Sequence, residues 1–386
     1  MPELPLSAIR QLPVRIAAKA LDEIFRSGPL SRADLRRAIG TSLSTVTSAV
    51  QDLVESGFVI ESGYAHSTGG RPPGILDLAP GIGGIIATDI GALNVRVAAA
   101  DCRGVILFTE TKKINTPSAK SLRSLIARMH QQALTRLQGP VRAMSVAIAG
   151  IVDPHTGSVS RVDNIPDWPD GDDLSWLDRF GTPLLVDNEA NLGALGEHQA
   201  GAGIGVADML FVALGAGIGA GLILNNVLYR GSTGAAGEVG FLRRGNGEVS
   251  ARLEQHAAAG AVVKAYASRT GAQVTTAEEV FRCAAAGDED AAAAVASMID
   301  ELSVGIANAI IVLNPTLVAI GGGLAAAGDT LLAPLRERVA HLVPVMPRIE
   351  VGRLGPEAAL MGAVQWATEA AQARIMIELC GGIARA

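Results

Sequence analysis

The sequence predicts an α/β chain, an N-terminal winged helix-turn-helix followed by a two-lobed module with a cleft. Three observations carry that prediction. Residues 13 to 80 hold three short helical stripes and two strands, a pattern unlike the rest of the chain. Residues 85–110 and 209–229 each read as strand, glycine-containing turn, returning strand and third strand, which suggests an internal duplication. Between them, the apolar run Leu184, Leu185, Val186 stops at Asp187-Asn188-Glu189 and resumes with helical character through Glu197. Polar groups at such a junction lie beyond the strand's carboxyl end, beside free helix N–H groups, where ligands are held. A plainer role for Asp187 or Asn188 is to cap the helix.

At 386 residues the chain exceeds what one core usually serves. Hydrophobic residues make up 49% but aromatics only 3%, with 45 glycines, so the core must be built from Ala, Val, Leu and Ile between many tight turns. No uninterrupted apolar run is long enough to span a bilayer, and Met1 to Arg10 lacks the basic-then-apolar pattern of a signal peptide; a cytoplasmic protein without a membrane partner is expected. Cys102, Cys283 and Cys380 are far apart and odd in number, which fits neither a disulfide framework nor a zinc knuckle.

In residues 1–80, Ile16, Ala17, Ala20, Leu21, Ile24 and Phe25 follow helical spacing as far as Gly28-Pro29. Ser31 caps a second helix, Arg32 to Ile39, with Leu35 inward; Gly40 turns the chain; Ser42 caps a third helix with Val46, Ala49, Val50 and Leu53 as its buried stripe. This order describes a helix-turn-helix, and strands Phe58 to Glu61 and Ile75 to Leu78 around His66 to Pro73 describe a wing. A small protein-interaction module is the competing reading. The net charge of −6 repels phosphate at long range, so cations for DNA must be local. Arg32, Arg36 and Arg37 beside the second helix and Arg71 at the wing tip suit phosphate and minor-groove contacts. The third helix offers Ser42, Ser44, Thr45, Ser48 and Gln51 but no Arg or Lys, so base readout should be modest, chiefly through Gln51 or Ser48.

The first lobe is expected over 81–187, with strands Ile85 to Asp89, Asn94 to Ala100 and Val105 to Glu110, a helix Ser118 to Leu137 and a strand Ala143 to Ile148. The second, over 188–354, repeats the pattern with Met209 to Leu214, a glycine turn through Gly215, Gly217 and Gly219, Ala220 to Leu224, and Val227 to Tyr229. Glycine turns such as these, and the one at Asp89 and Gly91, let backbone N–H groups approach an anion. A helix Glu357 to Ala370, apolar on one side, packs back on the first lobe within 355–386.

These segments resemble the ROK family of repressors, open reading frames and sugar kinases over nearly the whole chain. STGGRPP resembles its repressor signature, Asn164-Ile165-Pro166-Asp167-Trp168 its Asn-Leu-Pro-x-Trp segment, and VDNEANLGALGE its central motif. LGAGIGAG is similar to its second phosphate loop, GAAGEVGF to its Gly-Glu-x-Gly-His segment, and NPTLVAIGGGL to its adenosine motif. The resemblance implies the two-lobed actin-like (ribonuclease-H-like, hexokinase-type) fold, with sugar-binding residues Asn164, Asn188, Glu189, Glu238 and Glu254.

The departures are chemical. Where the family's kinases carry the Asp that takes the sugar hydroxyl proton, this chain has Glu189, a methylene longer. The first phosphate loop, Asp-x-Gly-Gly-Thr in the kinases, reads Asp89-Ile90-Gly91-Ala92-Leu93. Phe241 stands where the zinc-binding His belongs, and Arg243 to Arg252 contains no Cys, so no metal site and no cofactor is expected. The expected protein is therefore a sugar-responsive transcriptional regulator, a repressor, non-catalytic, with vestigial phosphate loops at Asp89, Gly91, Gly215, Gly217 and Gly219. Its partners would be operator DNA and a sugar, in a homodimer or homotetramer. The alternative is an ATP-dependent sugar kinase with an added DNA-binding domain.

Overall fold

The computed structural model describes residues 16–64, 74–114, 118–165, 167–178, 181–243 and 252–380. Helices α1 (Ile16–Ser27), α2 (Arg32–Ile39) and α3 (Leu43–Glu55) open it, joined by a small sheet of strands β1 (Leu30–Ser31), β2 (Val59–Tyr64) and β3 (Gly74–Leu78) in the order β1-β3-β2. Ser31 closes a capping box with Asp34, Gly40 ends α2 in the left-handed conformation at φ 71, and Ser42 caps α3. Leu21, Ile24, Leu35, Val46, Val50 and Leu53 are fully buried beneath them. β2 extends three residues beyond the expected strand, to Tyr64; His66 to Pro73, including Arg71, lie outside the described residues.

Two five-stranded sheets follow. The first comprises β4 (Gly84–Ile90), β5 (Asn94–Asp101), β6 (Ile106–Lys113), β7 (Val141–Ile148) and β10 (Leu184–Asn188), the short ribbon β8 (Ile151–Val152) and β9 (Val159–Ser160) branching off before β10. The second comprises β11 (Met209–Leu214), β12 (Ile218–Leu224), β13 (Val227–Tyr229), β14 (Leu317–Gly321) and β15 (Arg348–Val351). In each, three strands form an antiparallel meander and two more add in parallel on the far side of the meander's first strand. The two strand orders are the same, which is how an internal duplication looks in three dimensions.

Helix α4 (Ala119–Leu134) covers the outer face of the first sheet. The second is covered by α7 (Ala259–Thr270), α8 (Ala277–Ala285), α9 (Glu289–Leu313) and α10 (Asp329–Ala340), with α6 (Glu254–Ala257) at the edge. By length and composition α9 could cross a membrane; its Val295, Met298, Leu302, Ile306 and Ile310 are instead buried in this core. Between the sheets lie α5 (Glu189–Ala200) and α11 (Ala358–Leu379), α5 on the second sheet and α11 on the first. They cross closely because glycines meet there: a Cβ at Gly196 would stand 2.4 Å from the Ala358 carbonyl oxygen, and one at Gly362 1.9 Å from that of Leu192. The layer around them is rich in alanine, which a chain poor in aromatics requires.

The last helix runs nine residues past Ala370 and is not apolar on one side only. It is buried against α5, against the first sheet and, through Ile375 and Met376, in the core of α1–α3.

Candidate functional site

Asn188 ends β10 and caps α5: its Oδ1 accepts from the Ala190 N–H at 2.7 Å, and its Nδ2 donates to the Gly150 carbonyl at 2.8 Å. The capping role is thus filled by Asn188, which also ties the end of β7 to the helix start. Asp187, buried, accepts from the Asn188 N–H, from Asn191 Nδ2 at 2.8 Å and from Arg230 Nε at 2.6 Å. Arg230 in turn lies over the Trp366 ring, 5.0 Å from its centre, so one guanidinium joins β13, β10 and α11. At the far end of α5, buried Glu197 accepts N–H groups from Ala202, Arg353 and Leu354 and fixes the loop after β15.

On the phosphate-loop side, the Glu189 carboxylate lies over the first loop, its Oε2 3.8 Å from where a Gly91 Cβ would be. Asp89, 2% exposed, pairs through Oδ2 with Arg96 at 2.8 Å, and its buried Oδ1 has no hydrogen-bond partner among the described residues. Burial, then the neighbouring Asp89 charge, pushes the Glu189 carboxyl up to about 7, with Arg96 opposing. Burial likewise holds Asp89 at about 6 against the same guanidinium. Two carboxylates facing one cation resist phosphate whenever both are ionised. In the second loop the turn is shorter than expected. Gly215 N–H bonds to the Gly217 carbonyl at 3.0 Å, and Gly219 already belongs to β12.

Of the other residues implied in sugar binding, Glu238 and Glu254 lie near one another beside the second glycine loop. Glu254 starts α6, 3.8 Å from Arg252 Nη1, with Oε2 beside Gly217 and Gly240. Glu238 is close enough that its carboxyl is raised by burial first, by Glu254 next and by Asp163, against the lowering pull of Arg161. Asn164, the next residue along from Asp163, has both amide atoms buried with no partner among the described residues; the Trp168 indole N–H is in the same condition. Phe241 is clamped between two guanidiniums, Arg161 at 4.8 Å and Arg252 at 4.3 Å from the ring centre. Arg161 reaches it from a left-handed backbone, φ 55. No group of three or more His, Cys, Asp or Glu suited to a metal occurs among the described residues.

Sequence reasoning missed Arg96, Arg161, Arg230 and Arg252. Each acts through a partner distant in the chain or through a loop conformation. A signal existed only for Arg96, a charge inside an apolar strand directly after the phosphate loop.

At the N-terminal domain, the expected cations divide. Arg32 is ion-paired to Glu61 on β2, and Arg37, largely exposed, to Asp34. Arg36 is exposed. Ser42 accepts the Thr45 N–H and shares 2.8 Å hydroxyl contacts with Ser44 and Thr45, while Gln51 Nε2 donates to Glu55 at 2.8 Å. Ser48 is exposed, and Arg71 lies outside the described residues. The N-terminal helices are tied to the first lobe: Arg103 pairs with Asp77 at 2.7 Å and donates to the Ile24 carbonyl.

The pattern of the ROK family matches residues 85–370. A xylose repressor of Caldicellulosiruptor bescii is 28% identical over 371 residues, 89% of this chain and 93% of that protein. Among solved structures, a ROK family transcriptional regulator that is a homologue of the E. coli MLC protein superposes with a TM-score of 0.74, covering 95% of this chain and 98% of its own at 20% identity. A ROK family glucokinase from Streptomyces griseus, in complex with glucose and AMPPNP, superposes with a TM-score of 0.64 over 74% of this chain and 99% of its own, at 26% identity. The chain belongs to the ROK family.

Proposed function

We propose that this ROK family member is a sugar-responsive transcriptional repressor whose kinase-derived module binds a sugar without phosphorylating it. In this reading α1–α3 and the β1-β3-β2 sheet are a winged helix-turn-helix, α3 entering the major groove and the loop with Arg71 reaching the minor groove. Asn164, Glu238 and Glu254 engage the sugar hydroxyls, the orphaned Asn164 amide taking both a donor and an acceptor from a polyol. Glu189 completes the group, while Asn188 positions it.

The single observation that carries this reading is the double membership of α11. Its first half packs on α5, whose N-terminus bears Asn188 and Glu189; its second half supplies Ile375 and Met376 to the core of the N-terminal domain. A ligand that changes the packing of α5 therefore acts on a helix shared with the DNA-binding head, which is the linkage a sugar response needs. Against catalysis stand the displaced carboxylate of Glu189 and the loss of glycine and hydroxyl at Ala92 and Leu93 in the phosphate loop.

Thermal shift against mono-, di- and amino sugars, beginning with pentoses because of the xylose repressor relative, tests the sensor. Operator titrations with and without the stabilising sugar test the response. A sugar that stabilises the protein and changes operator affinity is expected. Magnesium-dependent ADP release with any sugar would overturn the non-catalytic reading, and no sugar-dependent shift would overturn the sensor.

A further inference from the structure

Leu43 opens α3 directly after its cap and is 53% exposed. An exposed leucine alone means little. Here, however, several of the polar groups around it are engaged. The hydroxyls of Ser42, Ser44 and Thr45 are shared among themselves, and the Gln51 amide N–H is given to Glu55. The Thr47 hydroxyl donates to the Leu43 carbonyl at 2.9 Å. Leu43 and Thr47, four residues apart on one helical face, line one end of a groove that continues through Ser44, Ser48 and Gln51 to Asp52 and Glu55. The exposed Leu43 thus stands as the large apolar group among small polar ones, at the end of the helix that meets base edges when such a helix docks.

The major groove offers one apolar group, the 5-methyl of thymine. We infer that Leu43 and Thr47 select thymine by contact with its methyl group, so that the half-site carries A·T pairs beneath the start of α3. The inference rests on reading the N-terminal domain as a DNA-binding head. The exposed Arg36 on the neighbouring helix favours DNA over an apolar protein partner as the occupant of this face.

Duplexes that bind the full-length protein would be selected from a random pool, and each thymine then replaced singly by deoxyuridine, which deletes only the methyl. Loss of one buried methyl should weaken binding about fourfold at the positions read. Leu43→Ala and Thr47→Ser should each bind the thymine and uracil forms of their own position equally; both side chains are exposed, and serine keeps the hydroxyl bond to Leu43. Uracil tolerated everywhere by the parent protein, or the same uracil penalty in parent and variants, would overturn the inference while leaving DNA binding intact. Failure to enrich any duplex would overturn the DNA-binding reading and this inference with it.

Discussion

Two pairs of carboxylates, Asp89 with Glu189 and Glu238 with Glu254, stand in different surroundings. On the phosphate-loop side Asp89 and Glu189 crowd one guanidinium, and both carboxyls are held above their usual range. In the other pair, Glu238 and Glu254 lie near the cations Arg161 and Arg252, Glu238 again raised by burial, and the amide of Asn164, next in the chain to the nearby Asp163, has no partner among the described residues. A duplicated scaffold fixes where the groups stand, whereas local charge decides whether they suit phosphate or a neutral polyol. Each pair can be tested alone.

The largest effect should come from the phosphate side. The parent protein is expected to release ADP only at background with any sugar and magnesium. Glu189→Asp combined with Ala92→Gly and Leu93→Thr should raise turnover by on the order of a hundredfold, the scale of a one-ångström correction to a base. A parent already active, or a triple variant no better, would erase the contrast. On the sugar side, Asn164→Leu removes a buried amide without a partner. It should leave the ligand-free protein as stable or stabler while weakening sugar affinity by about 1–3 kcal/mol, roughly five- to 150-fold. Calorimetric titration and melting together decide this; undiminished affinity would remove Asn164 from the site.

A smaller effect is expected at the aromatic clamp. Phe241→Ala loses two guanidinium contacts and should cost about 1–2 kcal/mol of stability, with a weaker sugar shift, while Phe241→Tyr keeps both. If the alanine variant melts and binds like the parent, the clamp does not hold Glu238 and Glu254. The smallest is a pH effect. Because the Glu189 carboxyl is raised in the fold, its contribution to stability is complete below its ordinary value near 4.5 and is lost as pH rises through about 7. Glu189→Gln should therefore gain on the parent by on the order of 1 kcal/mol between pH 5 and 8. Parallel melting curves for the two proteins across that range would show that the carboxylates do not strain the phosphate side.

Much of this architecture was legible before any coordinates. The caps at Ser31 and Ser42 and the meander strands announce themselves through local chemistry, and local chemistry survives folding. The junction at Asn188 and Glu189 was legible for the same reason. The partners of the arginines were not, since Arg230 with Asp187 and Arg161 with Phe241 are pairings that only the tertiary fold creates. Helix α11 was misread for a further reason. A helix buried against two sides of the module and a third domain has no single apolar stripe, and amphipathic reasoning ends it too early. Residues 258–285 gave no clear signal either, because their alanines support many placements of the buried face.

The position of Ile375 and Met376 in the core of α1–α3 bears on how the protein is made. Helices α1 to α3 leave the ribosome early, but two of the side chains that close their core follow roughly 350 residues later, about 20–70 s at usual rates of synthesis. During that interval the head has an open apolar flank and no partner in α11. The core of α1–α3 is thus complete only once the chain has been made through α11.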